Sequence, residues 1–220
     1  GNNVEIAPHA VIENCVKIGD SVRIGAGSFI GSNSEIGNGS SISPNVSIYH
    51  DITIGNNCII DSGTVIGADG YGLISDNNTH HKIPHIGSVS IGNNVWIGSN
   101  CSIDRGTLSN TVIGSGSKLD NLIHIAHNVK IGQNCLMAAQ VGIAGCNVIG
   151  DNVTLWGQVG IPSNLKIGKG ATILGKSGPI NDVKENDINF GVPGVNSKQR
   201  FRELIIQQKL PEILKKLNLE

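Results

Sequence analysis

Val4-Glu5-Ile6-Ala7-Pro8-His9-Ala10-Val11-Ile12-Glu13-Asn14-Cys15-Val16-Lys17-Ile18-Gly19 sets isoleucine at every sixth position. The step runs without a miss to Ile66 and returns at Ile91, Ile97 and Ile103. It resumes from Ile113 to Ile173, where only Leu119, Met137 and Leu155 replace isoleucine. Two residues earlier often stands a second small or β-branched residue, such as Val22, Val46, Val95, Val129 or Val153. A period of six does not fit a helix of 3.6 residues per turn. It fits a coil of short strands joined by tight turns. The large aliphatic residue points inward, and Gly, Asn and Asp take the turn positions with positive φ. Three such hexads close a triangular coil of 18 residues. Coils then stack at about 4.8 Å, the strand spacing. The expected fold is all-β, a parallel β-helix.

Composition agrees. Aromatics are only 3% of the chain, so the core must be built from many small aliphatic contributions. Charged residues, at 15%, are too few for a disordered chain. Glycine is abundant but not at every third position, which excludes collagen. A net charge of −1 argues against a general nucleic-acid binder. No apolar run reaches the roughly 18 residues of a membrane span, and the start carries no signal-peptide pattern. The five cysteines are scattered, odd in number and without C-x-x-C spacing. They read as reduced, buried thiols of a cytoplasmic protein. Cys58, Cys101 and Cys135 fall on inward positions, as small core hydrophobes rather than ligands.

Two interruptions break the rhythm. An insertion over 68–89 holds Gly67-Ala68-Asp69-Gly70-Tyr71-Gly72 and a polar stretch with His80, His81 and His85, expected as a solvated loop. A bulge of four residues follows Ile103, at Asp104-Arg105-Gly106-Thr107. Departures from a rigid repeat are where function is expected to sit. The β-helix is expected over 1–178, a linker loop over 179–196, and a helical segment over 197–220 that Pro211 divides into two short helices.

A prism with a filled core has no internal cavity, so chemistry must sit on a corner, in a loop or between subunits. His9 and His50 read as ordinary turn residues. His127 lies two residues after the core position Ile125 and therefore points outward, with Asp120, Asn121, His124 and Asn128 nearby in sequence. Its ordinary pKa suits a general base. Gly145 falls one coil later, beneath it, where an open backbone N–H would serve an oxyanion. No carboxylate or cysteine stands at a metal-ligand spacing from His80 and His81, so no metal site is expected.

The chain resembles the hexapeptide-repeat acyltransferases, and among them the UDP-3-O-(3-hydroxyacyl)glucosamine N-acyltransferase family of lipid A synthesis. The resemblance is carried by residues 67–72, by Lys82-Ile83-Pro84-His85-Ile86-Gly87 and by Ile103-Asp104-Arg105-Gly106. It continues through Leu119-Asp120-Asn121-Leu122-Ile123-His124-Ile125-Ala126-His127-Asn128, residues 138–145 and Gly157-Gln158-Val159-Gly160-Ile161. It implies a left-handed β-helix, a homotrimer and active sites in clefts between subunits. The implied reaction moves a 3-hydroxyacyl group from the phosphopantetheine of acyl carrier protein to the amine of a UDP-amino sugar. No tightly bound cofactor and no metal are implied. His127 would be the base, the Gly145 N–H the oxyanion donor, and Asp120, Asn121, His124, Asn128 and Asn164 would line the substrate cleft.

Three departures qualify that pattern. The family carries a uridine-binding domain ahead of the β-helix, whereas here the repeat starts at Val4. Either the sequence is trimmed or the nucleotide is held differently. The family's second active-site histidine falls on Asn164, which can hydrogen-bond but not shuttle a proton. His85 and His124 stand where glutamine is more usual. Two further readings stay open: an N-acyltransferase for another nucleotide-linked amino sugar using acyl- or acetyl-CoA, and a catalytically weakened paralogue acting as a scaffold.

Overall fold

Stacked inward isoleucines set the architecture. The computed structural model describes residues 1–217. Two-residue strands alternate with tight turns, and each strand pairs in parallel with the strand one coil on. Ile6 pairs with Ile24, Ile24 with Ile42 and Ile42 with Ile60. Repetition on three sides gives sheets of eleven, eight and eight strands, a triangular parallel β-solenoid. One ladder runs Ile24, Ile42, Ile60, Ile97, Leu119, Met137, Leu155 and Ile173, every member buried. Full burial of one such side chain contributes about 1.5–3 kcal/mol, so the many-membered ladder replaces an aromatic core.

Corners are held by left-handed backbone and side-chain amides. Asn33, Asn45, Asn57, Asn94, Asn100, Asn134 and Asn152 all have φ between 54° and 60°. Asparagine tolerates this region better than most residues. A second column of amides links successive coils. The backbone N–H of Asp20 donates to Asn38 Oδ1, that of Asn38 to Asn56 Oδ1, and that of Asn56 to Asn93 Oδ1, each at 2.8 Å.

Cys58, Cys101 and Cys135 are buried in the core, and burial raises the pKa of each thiol. Cys15 and Cys146 are exposed, correcting the expectation that all five are buried. Both sit at positive-φ corners, with φ of 60° and 63°, where side chains face out.

The two interruptions lie side by side. Ile66 pairs with Ile103, and Ile103 with Ile125, so the insertion and the bulge leave the same side of the prism in successive coils. Within the insertion, Leu73–Asp76 and Thr79–Lys82 form an antiparallel hairpin. It turns through Asn77 and Asn78, both at positive φ, as a tight hairpin requires. Lys82 Nζ ties its feet to Asp69 Oδ2 at 2.8 Å. Arg105 from the bulge is fully buried beneath. It donates to the carbonyl oxygens of Gly67 and His50, both at 2.7 Å, so the desolvated guanidinium keeps its hydrogen bonds. His50, expected as a plain turn residue, also lays its ring 3.1 Å from Arg105 Nη1.

Residues 179–196 differ from the expected linker. Ile188–Phe190 pairs in parallel with Thr172–Ile173 and antiparallel with Val195–Asn196, extending the solenoid. The tail is one helix, Ser197–Lys216, not two. Asn196 caps it by accepting from the N–H of Lys198 at 3.1 Å. Pro211 removes one backbone donor without ending the helix. Residues 218–220 of the expected segment lie outside the described residues.

Ile97 stacks between Ile60 and Leu119 at 0% exposure. Ile97→Ala should therefore cost about 2–5 kcal/mol, read as a lower urea midpoint. A loss under about 1 kcal/mol would contradict ladder packing as the source of stability.

Candidate active site

Ile125 anchors the decisive corner. It is buried, and the chain turns outward through Ala126, His127 and Asn128, the last at φ 60°. His127 thus stands half-buried at the prism edge. One coil on, a Cβ added at Gly145 would lie 2.6 Å from His127 Cε1 and 2.8 Å from its Nε2. Only glycine fits there. The Gly145 carbonyl accepts from the Asn164 N–H at 3.2 Å. Among the described residues its own N–H has no hydrogen-bond partner.

Asn128 clamps the ring. Its Oδ1 accepts from the Thr107 N–H at 2.8 Å, which fixes the amide's orientation. Its Nδ2 then donates towards His127 Nδ1 at 3.2 Å. The neutral ring therefore carries its proton on Nε2. Base action at Nε2 requires a tautomer exchange in which the Asn128 amide releases Nδ1.

The interruptions close over this corner. A Cβ at Gly70 would lie 2.8 Å from His127 Cδ2 and 3.1 Å from Asp104 Oδ2, so the insertion backbone runs directly across both. Asp104, from the bulge, is 5% exposed, with His124 Nε2 at 3.7 Å from Oδ2. Burial pushes its pKa up to about 6, against the opposing pull of His124 and His85. His85 is also buried, with its ring centroid 5.3 Å from that of His127. The His127 pKa is lowered, first by burial and then by His85. Beside these groups opens a cleft of about 580 Å³ lined by Tyr71, His124, His127, Gly145, Pro162 and neighbours. A carbonyl there can meet a backbone donor and an imidazole, which is the equipment for acyl transfer.

Of the expected site residues, His127, Gly145, His124 and Asn128 come together. Asp120 and Asn121 do not join them within one chain. Asp120 borders a separate apolar cavity of about 440 Å³ beside Trp96, Leu136 and Trp156. Asn121 spends its Oδ1 on the Ser99 N–H at 2.8 Å, inside a corner column. Asn164 is exposed at a positive-φ corner one coil beyond Gly145, outside the cleft lining. His85 is not the solvated loop residue expected.

Residues 1–32, 33–68 and 110–145 match the bacterial transferase hexapeptide family, and 88–121 match the hexapeptide repeat of succinyl-transferase. UDP-3-O-acylglucosamine N-acyltransferase of Prochlorococcus marinus is 50% identical over 153 residues, 70% of this chain and 44% of that protein. The protein of the same name in Desulfotalea psychrophila is 48% identical over 157 residues, 71% of this chain and 46% of that one. The solved LpxA of Acinetobacter baumannii is 31% identical and superposes with a TM-score of 0.78, over 87% of this chain and 72% of that one. The chain belongs to the hexapeptide-repeat acyltransferases.

Its solenoid winds in the left-handed sense of that family. The UDP-N-acetylglucosamine O-acyltransferase of Moraxella catarrhalis superposes with a TM-score of 0.79 at 29% identity, covering 90% of this chain and 77% of that one. The chain spans less than half the length of the curated relatives just given.

Reading the sequence hexad by hexad missed Asp104, His85 and Tyr71 as parts of the corner. A signal was present. Carrying the coil count across both interruptions puts Ile66, Ile103, Ile125 and Ile143 in one column. That alignment places Asp104 and the start of the insertion over Ala126 and His127.

Asp104 also yields a stability test. Its folded pKa is raised, so the folded state holds its proton more tightly than the unfolded state. Stability present below about pH 4 is then lost as pH rises towards 6. Asp104→Asn should raise stability by roughly 2–3 kcal/mol above pH 6, with the gain in melting temperature vanishing near pH 4. A gain independent of pH would contradict the buried, ionising carboxylate.

Proposed function

We propose that this chain carries the catalytic domain of an N-acyltransferase of lipid A synthesis. It moves a 3-hydroxyacyl group from acyl carrier protein to the 2-amine of UDP-3-O-acylglucosamine. The observation that carries the reading is His127 facing Gly145 across one coil, where a Cβ at 145 would touch the ring. The curated relatives named for this reaction add support.

An amine attacks a thioester carbonyl only when unprotonated. Burial lowers the His127 pKa, which favours the neutral ring that a base needs. The amine nitrogen forms the C–N bond, and the carbonyl oxygen becomes an oxyanion facing the free Gly145 N–H. His127 takes the amine's proton. Collapse breaks the C–S bond, and His127 returns the proton to the departing phosphopantetheine thiolate. The balance needs no metal, redox partner or tightly bound cofactor.

A homotrimer completes the cleft in this reading. On one sheet Ile59 pairs with Trp96, and Leu136 lies two coils on. These outward side chains are 48%, 42% and 51% exposed, a surface suited to a second copy. It also holds Asp120, which a neighbouring subunit would bring to His127. The C-terminal helix exposes Arg202, Lys209, Lys215 and Lys216, complementary to an acidic carrier protein. We place the reaction in the cytoplasm. No helix among the described residues is long and apolar enough to cross a membrane.

With acyl carrier protein thioester and UDP-3-O-acylglucosamine, His127→Ala should lower kcat by about 10²–10⁴-fold. Oligomer mass and melting temperature should stay near wild type, because the side chain points away from the ladder. Near wild-type turnover, or loss of assembly, would contradict the role. Faster turnover with acyl-CoA than with the carrier would shift the donor assignment.

A further inference from the structure

We propose that Tyr71, carried over the cleft by the insertion, is a binding residue for the acceptor, its ring lying against a C–H face of the amino sugar. The assignment rests on the reading above, in which His127 takes the proton of the sugar amine. Tyr71 is 86% exposed, more than any other large apolar side chain among the described residues. No other aromatic ring packs on it among those residues. Its backbone is nevertheless fixed. The Gly72 N–H donates to the Gly70 carbonyl at 2.9 Å, closing a three-residue turn with Tyr71 at its tip. Neither glycine has a positive φ, so the need for glycine is one of clearance. A Cβ at Gly70 would lie 2.8 Å from His127 Cδ2, and one at Gly72 would lie 2.7 Å from His85 Cε1. Both feet of the turn thus press on rings of the site, and the aromatic between them is held out over the cleft.

The placement selects the acceptor over the donor. His127 Nε2 lies between Cδ2, which faces Gly70, and Cε1, which faces Gly145. The attacked carbonyl belongs on the Gly145 side, where the free N–H meets its oxygen. The amine must reach Nε2 from the other side, and the sugar it belongs to then lies beneath Tyr71. There is room for a ring. Gly142 and Gly160 follow His124 in one column of the sheet, and a Cβ on either would meet nothing within 4 Å. Glucosamine carries most of its ring substituents equatorially, so its faces present C–H groups. Those suit the electron-rich face of a tyrosine. Contact with the sugar is made before and during attack alike, so it strengthens binding without speeding the chemical step.

The test is steady-state kinetics of the full chain with acyl carrier protein thioester and UDP-3-O-acylglucosamine, with UDP alone as an inhibitor. Tyr71→Ala should raise the acceptor KM by about fivefold or more. Its kcat should stay within about threefold of wild type, and the carrier KM, the inhibition constant of UDP, the oligomer mass and the melting temperature should hold. Tyr71→Phe keeps the ring face and should behave as wild type. Active wild type with an unchanged acceptor KM in Tyr71→Ala would overturn the proposal alone. A wild type that makes no product from this pair would overturn the acyl-transfer reading and the proposal with it. A rise in the carrier KM instead would move the ring to the donor, and a matching rise in the UDP inhibition constant would move it to the nucleotide. Either result contradicts the sugar contact. So would an equal loss in Tyr71→Phe, which marks the hydroxyl, or a fallen melting temperature or changed oligomer mass in Tyr71→Ala, which marks a structural residue.

Discussion

Parallel pairing of each strand with the one a coil later is the constraint on which the other features depend. Because an inward isoleucine stacks on another inward isoleucine, the register cannot slip without moving every side chain to another position. Residues at equal distance from the ladder therefore share a corner for the whole length of the prism. His127 and Gly145 meet because Ile125 pairs with Ile143. Extra residues cannot be absorbed into such a stack and must leave it. The insertion and the bulge leave from Ile66 and Ile103, which are paired neighbours. Both excursions fall over the same corner as a result.

The site gathers groups that the rest of the molecule avoids. Elsewhere the buried groups are aliphatic side chains, cysteines, hydroxyls that donate to carbonyls, such as Ser40 to Gly55 at 2.8 Å, and uncharged amides such as Asn147. At this corner a buried carboxyl packs beside two imidazoles, and burial pushes the Asp104 pKa up to about 6. Such a cluster costs stability, and the long ladder on either side offsets the cost. Perturbed titrations grouped around a cleft are a physical mark of catalytic work. Here they coincide with the two interruptions that break the hexad within the coil stack.

Much of the fold was legible because its physics is local and periodic. An isoleucine every sixth residue specifies strand, turn and stacking together. His127 and Gly145 were legible for the same reason, since one coil separates them. Asp104 and His85 were not, because their places depend on how chain outside the repeat folds back. That fold-back rests on Arg105 reaching two carbonyls, on the Lys82–Asp69 pair and on the close pass of Gly70, none of which is periodic. The strands of 179–196 were missed because their spacing abandons the hexad while keeping the parallel pairing. Asp120 and Asn121 were grouped with His127 by nearness in sequence, but a triangular coil turns nearby residues onto different sides.

The central claim is that this corner receives the acceptor sugar. The most direct measurement is a crystal structure of the chain with UDP-3-O-acylglucosamine bound. The account predicts the 2-amine nitrogen within about 3.2 Å of a His127 ring nitrogen, with the Gly145 N–H facing the position an attacked carbonyl oxygen would take. A sugar bound at full occupancy with its amine remote from His127 in every subunit would contradict it.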